Sequence, residues 1–259
     1  MFTTIINDCH CANARGRQET RVGALLGSPA SFIKVESDLE AAGNLVDALD
    51  ASLGRKGVIL VNVAPRNGHA KKWTNGTPFG YFYYQNTLVI TTIDGRTLSL
   101  AKKLGLVSQI RLVDAETTIK SKLPAEKHHL AQTQFRSFEF TPRLADWLLA
   151  GQPVESTNQH LNDVPELEPV VWWVDNFGNA KTSVLDDTPE ANKVKAKLAA
   201  RGFEIISRLK DAPEDKPSVI AGSSGFGQAK FLEIVINGRN VSQEMNIKTG
   251  DKIKDIKKH

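Results

Sequence analysis

Apolar positions change their period twice along this chain of 259 residues. In the first half, short apolar runs at residues 2–7, 31–35 and 57–64 read as buried strands, the third being nearly continuous. Between the second and third, Leu39, Ala42, Leu45, Val46, Leu49 and Leu53 recur at helical spacing and form one apolar stripe. Ser37 followed by Glu40 supplies a capping box ahead of that stripe, and Gly54 sits where a C-terminal cap belongs. An earlier helix is expected over 17–26. Residues 81–84 and 88–92 read as paired strands about a turn at Gln85 and Asn86, and 107–113 as another strand. Thr141 and Pro142 open a short helix that carries Leu144, Ala145, Trp147 and Leu148 and stops at Gly151.

This alternation predicts an α/β fold, an open and largely parallel sheet with flanking helices. In such sheets ligands sit beyond the carboxyl ends of the strands. Asp8, residues 65–68 and the Gln85–Asn86 turn therefore become candidates. Around 152–169 the chain turns polar and carries prolines. Beyond it, 170–174, 203–207, 219–221, 231–236 and 252–256 read as short strands, with one helix near 191–200. The expected division is an α/β domain over 1–160, a linker over 161–168 and a smaller β-rich, barrel-like domain over 169–259.

Composition narrows the function classes. With 41% hydrophobic and 24% charged residues the chain is neither disordered nor fibrous. Its longest apolar run, 170–174, is far short of a membrane span, and no basic segment precedes the first apolar stretch as in a signal peptide. The net charge of +4 is concentrated in residues 248–259, where five lysines face two aspartates, so nucleic acid is not an expected partner. Cys9 and Cys11 flank His10; a bridge across so short a span is strained, and free thiols suit a reducing cytoplasm. On a strand end the cysteines and His10 face opposite sides, so no metal site is expected. Residues 222–227 resemble a phosphate loop but lack the Lys-Ser/Thr ending and precede a strand, which predicts a plain flexible loop. Lys193, Lys195 and Lys197 spread around a helix as a solvated face, and His128–His129 lack a nucleophilic partner.

Asp175-Asn176-Phe177-Gly178-Asn179 directly follows the apolar run 170–174. Asp, Asn and Gly favour a strand-ending turn. The same residues also suit recognition: a carboxylate for a cation, an aromatic face for stacking, an amide for a heterocycle edge.

Several collinear segments together resemble the S-adenosylmethionine-dependent chlorinase/fluorinase and hydroxide adenosyltransferase family. Val174 to Ser183 is similar to that family's Asp-x-Phe-Gly-Asn-x-x-Thr-Asn signature. Gln134-Phe135-Arg136-Ser137-Phe138-Glu139, running on to Leu149-Ala150-Gly151, resembles its Thr-Phe-x-x-Arg-acid stretch. Ile59 to Gly68 sits like its Val-Val-Asp-Pro-Gly-Val-Gly strand and loop, and Tyr84-Gln85-Asn86-Thr87-Leu88 like its Pro-Asp-Asn-Gly-Leu turn. Phe231-Leu232-Glu233-Ile234, Asn237 and Lys248-Thr249-Gly250-Asp251 match its ending.

The resemblance implies a homotrimer that takes S-adenosylmethionine as substrate and needs no cofactor, with the ligand between the first domain of one subunit and the second of its neighbour. The implied chemistry is displacement of methionine at the ribose 5′ carbon. By matched position, Asp8 would take the ribose hydroxyls, Phe177 and Asn179 the adenine, and Asp175 the ammonium of the methionine moiety; Asn86 joins the binding set.

Departures shape the expected chemistry. Water-using members carry an Asp–Arg–His set where this chain has Ala64, Lys71 and Arg136. A general base is worth roughly 10²–10⁴ in rate, so water attack should be slow unless His69, two residues before Lys71, substitutes. Ser137 stands where fluorinating members present a hydroxyl to the halide, and Lys71 and Arg136 favour an anion. Gln228-Ala229 replaces the polar, partly basic pair that grips the methionine carboxylate, and Phe138 stands where arginine is expected. Three outcomes follow: hydrolysis to adenosine and L-methionine, halogenation, or binding without turnover.

Overall fold

Parallel strands can be joined only by long crossovers, and the first unit of the chain, Met1–Pro165, supplies them with helices. A computed structural model describes residues 1–64 and 77–257. The chain runs β1 (Phe2–Asn7), α1 (Ala12–Leu26), β2 (Ser31–Lys34), α2 (Asp38–Ser52) and β3 (Gly57–Asn62). The hairpin β4 (Phe79–Tyr84) and β5 (Thr87–Thr92) follows, then α3 (Ser99–Lys103), β6 (Gln109–Val113) and α4 (Ala115–Lys122). Two helices, α5 (Arg136–Glu139) and α6 (Thr141–Leu149), and the strand β7 (Thr157–His160) complete the unit.

The sheet order is β2-β1-β3-β5-β4-β6-β7. The first four strands in that order are mutually parallel, while β4, β6 and β7 extend the sheet with antiparallel pairs. The expected α/β class is what the structure shows. Ile5, Val58, Leu60, Leu88 and Ile90 face the core built with Val22 of α1 and Leu144 and Ala145 of α6. The intervening residues Ile6, Ile59, Val61 and Val89 point the other way and are equally buried, on the side that α2 covers. Helices on both faces explain why these strands read as unbroken apolar runs.

Caps decide where the helices begin and end. Ser37 Oγ accepts from the Glu40 N–H at 3.2 Å, as the capping box predicts, while Glu40 reaches one residue further back to the Glu36 N–H at 2.7 Å. Leu53 leaves the stripe: it takes φ 50° at the helix end and is 78% exposed. α1 begins five residues before the expected start because no side chain caps it, leaving no start signal to read. β7 and the buried Leu161 and Val164 lie in the polar stretch after α6; Ser99 Oγ and Lys102 Nζ donate to the carbonyls of Pro165 and Val164 at 2.7 and 3.0 Å.

The second unit spans Glu166–His259. It contains β8 (Val171–Val174), β9 (Ala180–Leu185), α7 (Pro189–Ala199), β10 (Glu204–Ile205), β11 (Ser218–Phe226), β12 (Ala229–Val235) and α8 (Val241–Met245). The sheet order is β10-β11-β12-β9-β8, antiparallel except for the β10–β11 pair. Val171, Ala180, Val219, Leu232 and Ile234 turn one sheet face towards α7 residues Val194 and Leu198.

Two expectations are corrected here. Residues 222–227 are no loose loop: β11 continues to Phe226 through an irregularity between Ala221 and Gly225. Gly222 belongs there because a Cβ would stand 2.4 Å from the Glu233 carboxyl carbon across the sheet. Residues 252–256 form a 3-10 turn at Ile253–Asp255, with a single bridge from Lys252 to Val170, in place of a strand. Ile253 and Ile256 recur at a spacing of three, which a 3-10 turn presents on one side to the core.

Candidate functional site

In the first unit, the crossover after β1 leads to β2 on one side of it, and the crossover after β2 returns past β1 to β3 on the other. The carboxyl ends of β1 and β3 are the place where such sheets bind ligands. Asn7 and Asn62 are paired across that end, and Asp8 and Ala64 lie beyond it. Asp8 accepts the Ala64 N–H at 3.2 Å, which fixes the acid over the strand ends. Beneath it, Asn7 Oδ1 accepts the Cys9 N–H at 2.8 Å and Asn7 Nδ2 donates to Gln18 Oε1 at 2.6 Å. Gln18 Nε2 donates to the Cys9 carbonyl at 3.1 Å, so α1 ties down the turn that presents Asp8.

Arg136 and Ser137 reach the same sheet end by another route. Phe79 pairs with Thr92, and Thr92 Oγ1 donates to the Val63 carbonyl at 3.1 Å, next to Ala64. The Arg136 guanidinium lies 5.3 Å from the Phe79 ring centre, and burial lowers its pKa. Arg136 also lines a cavity of about 410 Å³ together with Asp114 and Glu155. Ser137 is buried, and its carbonyl accepts the Thr141 hydroxyl at 3.0 Å.

Helix α5 carries both residues and is held on α1 by stacked planes. Arg17 lies 4.6 Å and Arg21 4.0 Å from the Phe138 ring centre, and Arg21 Nη1 meets Glu139 Oε2 at 2.6 Å. Phe138, where an arginine was expected, is thus covered by two guanidinium groups from a different helix. His69 and Lys71 lie outside the described residues.

Asn86 is not part of this assembly. Thr87 pairs with Gly57, so the Gln85–Asn86 turn sits at the amino ends of β3 and β5. The length of β3 separates it from Asp8, about 20 Å at ~3.3 Å per residue. Asn86 donates from N and Nδ2 to the Gly54 carbonyl at 3.4 and 3.1 Å, which joins the hairpin to the end of α2. Within one chain Asn86 thus stands apart from Asp8: β4 runs against its neighbours, so a turn after β4 falls at the opposite sheet end.

In the second unit, the loop after β8 is built around one carboxylate. Asp175 Oδ1 accepts the N–H groups of Phe177 and Asn179, both at 2.9 Å, and Oδ2 accepts Asn179 Nδ2 at 3.2 Å. Gly178 takes φ +87° and lies against Asn240, where a Cβ would stand 2.0 Å from Oδ1. The turn leaves Phe177 71% exposed, an aromatic face turned to solvent. The motif is a tight turn, and the turn displays an aromatic ring beside an acid and an amide.

Behind this loop the sheet carries a charged cluster that the sequence reading did not single out. Lys181 on β9 pairs across the sheet with Glu233 on β12, Nζ to Oε1 at 3.5 Å. Lys181 Nζ also meets Ser224 Oγ at 2.6 Å, and Glu233 Oε1 accepts the Ser223 N–H at 3.3 Å. Burial raises the pKa of the Glu233 carboxyl above its usual value; Lys181 opposes the shift and the charge of Asp175 adds to it. The only signal for this cluster was a glutamate at a buried strand position of Phe-Leu-Glu-Ile, which strand alternation alone does not distinguish from an outward-facing one. Among the described residues, no group of His, Cys, Asp and Glu is arranged to hold a metal, and no helix is long and apolar enough to cross a membrane.

Fold and site thus define an α/β unit with Asp8 held at the carboxyl ends of its parallel strands, and a β unit that displays a braced Asp–Phe–Asn loop. Residues 169–254 match the family described as the SAM hydroxide adenosyltransferase C-terminal domain, so the resemblance read from the motifs holds over that stretch. Two solved structures are similar over nearly the whole chain. One is an uncharacterized conserved protein from Thermotoga maritima, with 19% identity and a TM-score of 0.63, covering 96% of this chain and 98% of its own. The other is a conserved hypothetical protein from Thermus thermophilus, with 18% identity and a TM-score of 0.61, covering 96% and 97%. At such identity the likeness establishes the fold. No curated protein sequence matches the chain.

Proposed function

We propose that this protein binds S-adenosylmethionine and displaces methionine from the ribose 5′ carbon, with water as the nucleophile. The observation that carries this is the Asp175–Asn179 loop, folded as a braced display of Phe177 inside the stretch that matches the adenosyltransferase domain. Phe177 and Asn179 take the adenine, Asp175 the ammonium of the methionine moiety, and Asp8 the ribose hydroxyls. Charge-assisted hydrogen bonds of this kind are worth ~1.5–3 kcal/mol each.

The reaction needs little covalent machinery. Water forms the new C5′–O bond, the C5′–S bond breaks with its electron pair on sulfur, and a proton is released. Products are adenosine and L-methionine. The sulfonium is already a good leaving group, so alignment supplies most of the catalysis, worth roughly 7–11 kcal/mol where geometry is fixed. Arg136, Ser137, Lys71 and His69 form the nucleophile side in this reading, with His69 as the substitute base. The protein acts as a cytoplasmic homotrimer, which light scattering tests as a mass three times 28.4 kDa.

A halide nucleophile is the second reading, supported by the buried Ser137 next to the half-buried, positively charged Arg136. Incubation of the purified protein with S-adenosylmethionine, with and without chloride, separates the two by chromatography. Adenosine and methionine in equal amounts support hydrolysis; 5′-chloro-5′-deoxyadenosine supports the halide. Calorimetric binding of adenosine with neither product identifies a binding protein. Absence of both binding and turnover refutes all three.

A further inference from the structure

A zwitterionic α-amino acid needs an acid for its ammonium and a cation for its carboxylate, a few ångströms apart. Asp175 supplies the first in the reading above, while Gln228 and Ala229 offer no cation for the second. We infer that Lys181, with Ser224 beside it, is the carboxylate-binding group of this protein and selects ligands that carry a complete amino-acid end. The inference rests on the adenosyl reading and names a determinant within it.

Three features support this assignment. Lys181 is the second residue of β9, two residues after the Asp175–Asn179 turn, so the acid and the ammonium are placed by one continuous segment. Its Nζ is already fixed: it meets Ser224 Oγ at 2.6 Å, stands 3.5 Å from Glu233 Oε1 and lies 6.0 Å from the Trp172 ring centre. A long flexible side chain held in this way loses little further freedom on binding. Ser224 lies on β11 just before its hairpin with β12, close in sequence to Gln228 and Ala229.

The test uses three ligands on the intact protein: S-adenosylmethionine, its decarboxylated form, and adenosine. Decarboxylated S-adenosylmethionine keeps the sulfonium and ammonium and lacks only the carboxylate. Calorimetry on wild type should show tighter binding of the carboxylated form. Lys181→Met should weaken S-adenosylmethionine tenfold or more, leave adenosine within twofold, and remove the preference between the two sulfonium ligands. Lys181→Arg should retain the preference. If Lys181→Met does not fold, Ser224→Ala replaces it and should weaken S-adenosylmethionine threefold or more with adenosine unchanged. Wild-type binding with an unaltered preference in these variants, or an equal loss for adenosine, overturns the role of Lys181 alone. Failure of the wild type to bind any of the three overturns the adenosyl reading and this assignment with it.

Discussion

Asn7 and Gln18 meet side chain to side chain, Nδ2 to Oε1 at 2.6 Å, with both residues buried beneath the turn that presents Asp8. The contact connects the last residue of β1 to the second turn of α1. Strand and helix therefore share one polar anchor at the sheet end where Asn62 and Ala64 also arrive. A buried amide pair costs little while it is satisfied and a great deal when half of it is removed.

Gln18→Ala is accordingly expected to destabilise the protein by about 1–3 kcal/mol, because it strands Asn7 Nδ2 in a buried site. Urea unfolding measures this directly. Gln18→Glu keeps the acceptor towards Asn7 but loses the donor to the Cys9 carbonyl, and should leave the Asp8 turn more exposed to amide exchange than wild type. Stability equal to wild type in Gln18→Ala would show that the anchor is dispensable.

Asp175→Ala removes the acceptor of two backbone N–H groups and of Asn179 Nδ2. Affinity for adenosyl ligands should fall by one to two orders of magnitude, on the order of 1.5–3 kcal/mol. Phe177→Ala leaves that brace intact and should weaken adenosine and S-adenosylmethionine alike. Unchanged calorimetric affinity in Asp175→Ala would remove the loop from the site.

Gly178→Ala combines two penalties. A side chain at φ +87° costs about 1–3 kcal/mol, and the new methyl group collides with Asn240. The melting temperature should fall and the loop should lose its fixed form, which proton spectra of the neighbouring amides would show. Asn240→Gly in the same chain should recover part of the loss by clearing the collision, leaving the backbone cost and the lost cap of α8, where Asn240 Oδ1 accepts the Gln243 N–H.

Glu233 gives the second unit a pH dependence of definite sign. Burial, the largest influence, lifts its pKa above 4.5, the ordinary value, so the folded protein holds this proton more tightly than the unfolded chain. Its contribution to stability is complete below that ordinary value and declines as pH rises through the folded one. Glu233→Gln cannot ionise, so the stability difference between wild type and variant should shift steadily against wild type from mildly acidic pH towards neutrality. A difference that stays constant over that interval would contradict the shift.

Much of the architecture was legible in the residues themselves. The apolar runs of β1 and β3, the stripe of α2 with its Ser37 cap, and the hairpin about Gln85–Asn86 depend on short-range periodicity and turn chemistry, which a sequence states directly. The same holds for the Asp–Phe–Asn loop, whose carboxylate bonds residues two and four positions away. Three features depended on distant parts of the chain. Asn86 lay at a strand end in sequence, but only the antiparallel entry of β4 decides which sheet end that is. Phe138 looked like the loss of an arginine until α1 brought Arg17 and Arg21 onto its ring. Lys181, Ser224 and Glu233 come from three strands, and only the pairing of β9, β12 and β11 makes them neighbours. Local periodicity fixes which face a side chain takes, whereas strand direction and register fix which charges meet there. Sequence alone thus determined the elements and the braced loop; the tertiary structure decided which sheet end each turn occupies and which cation stands behind the loop.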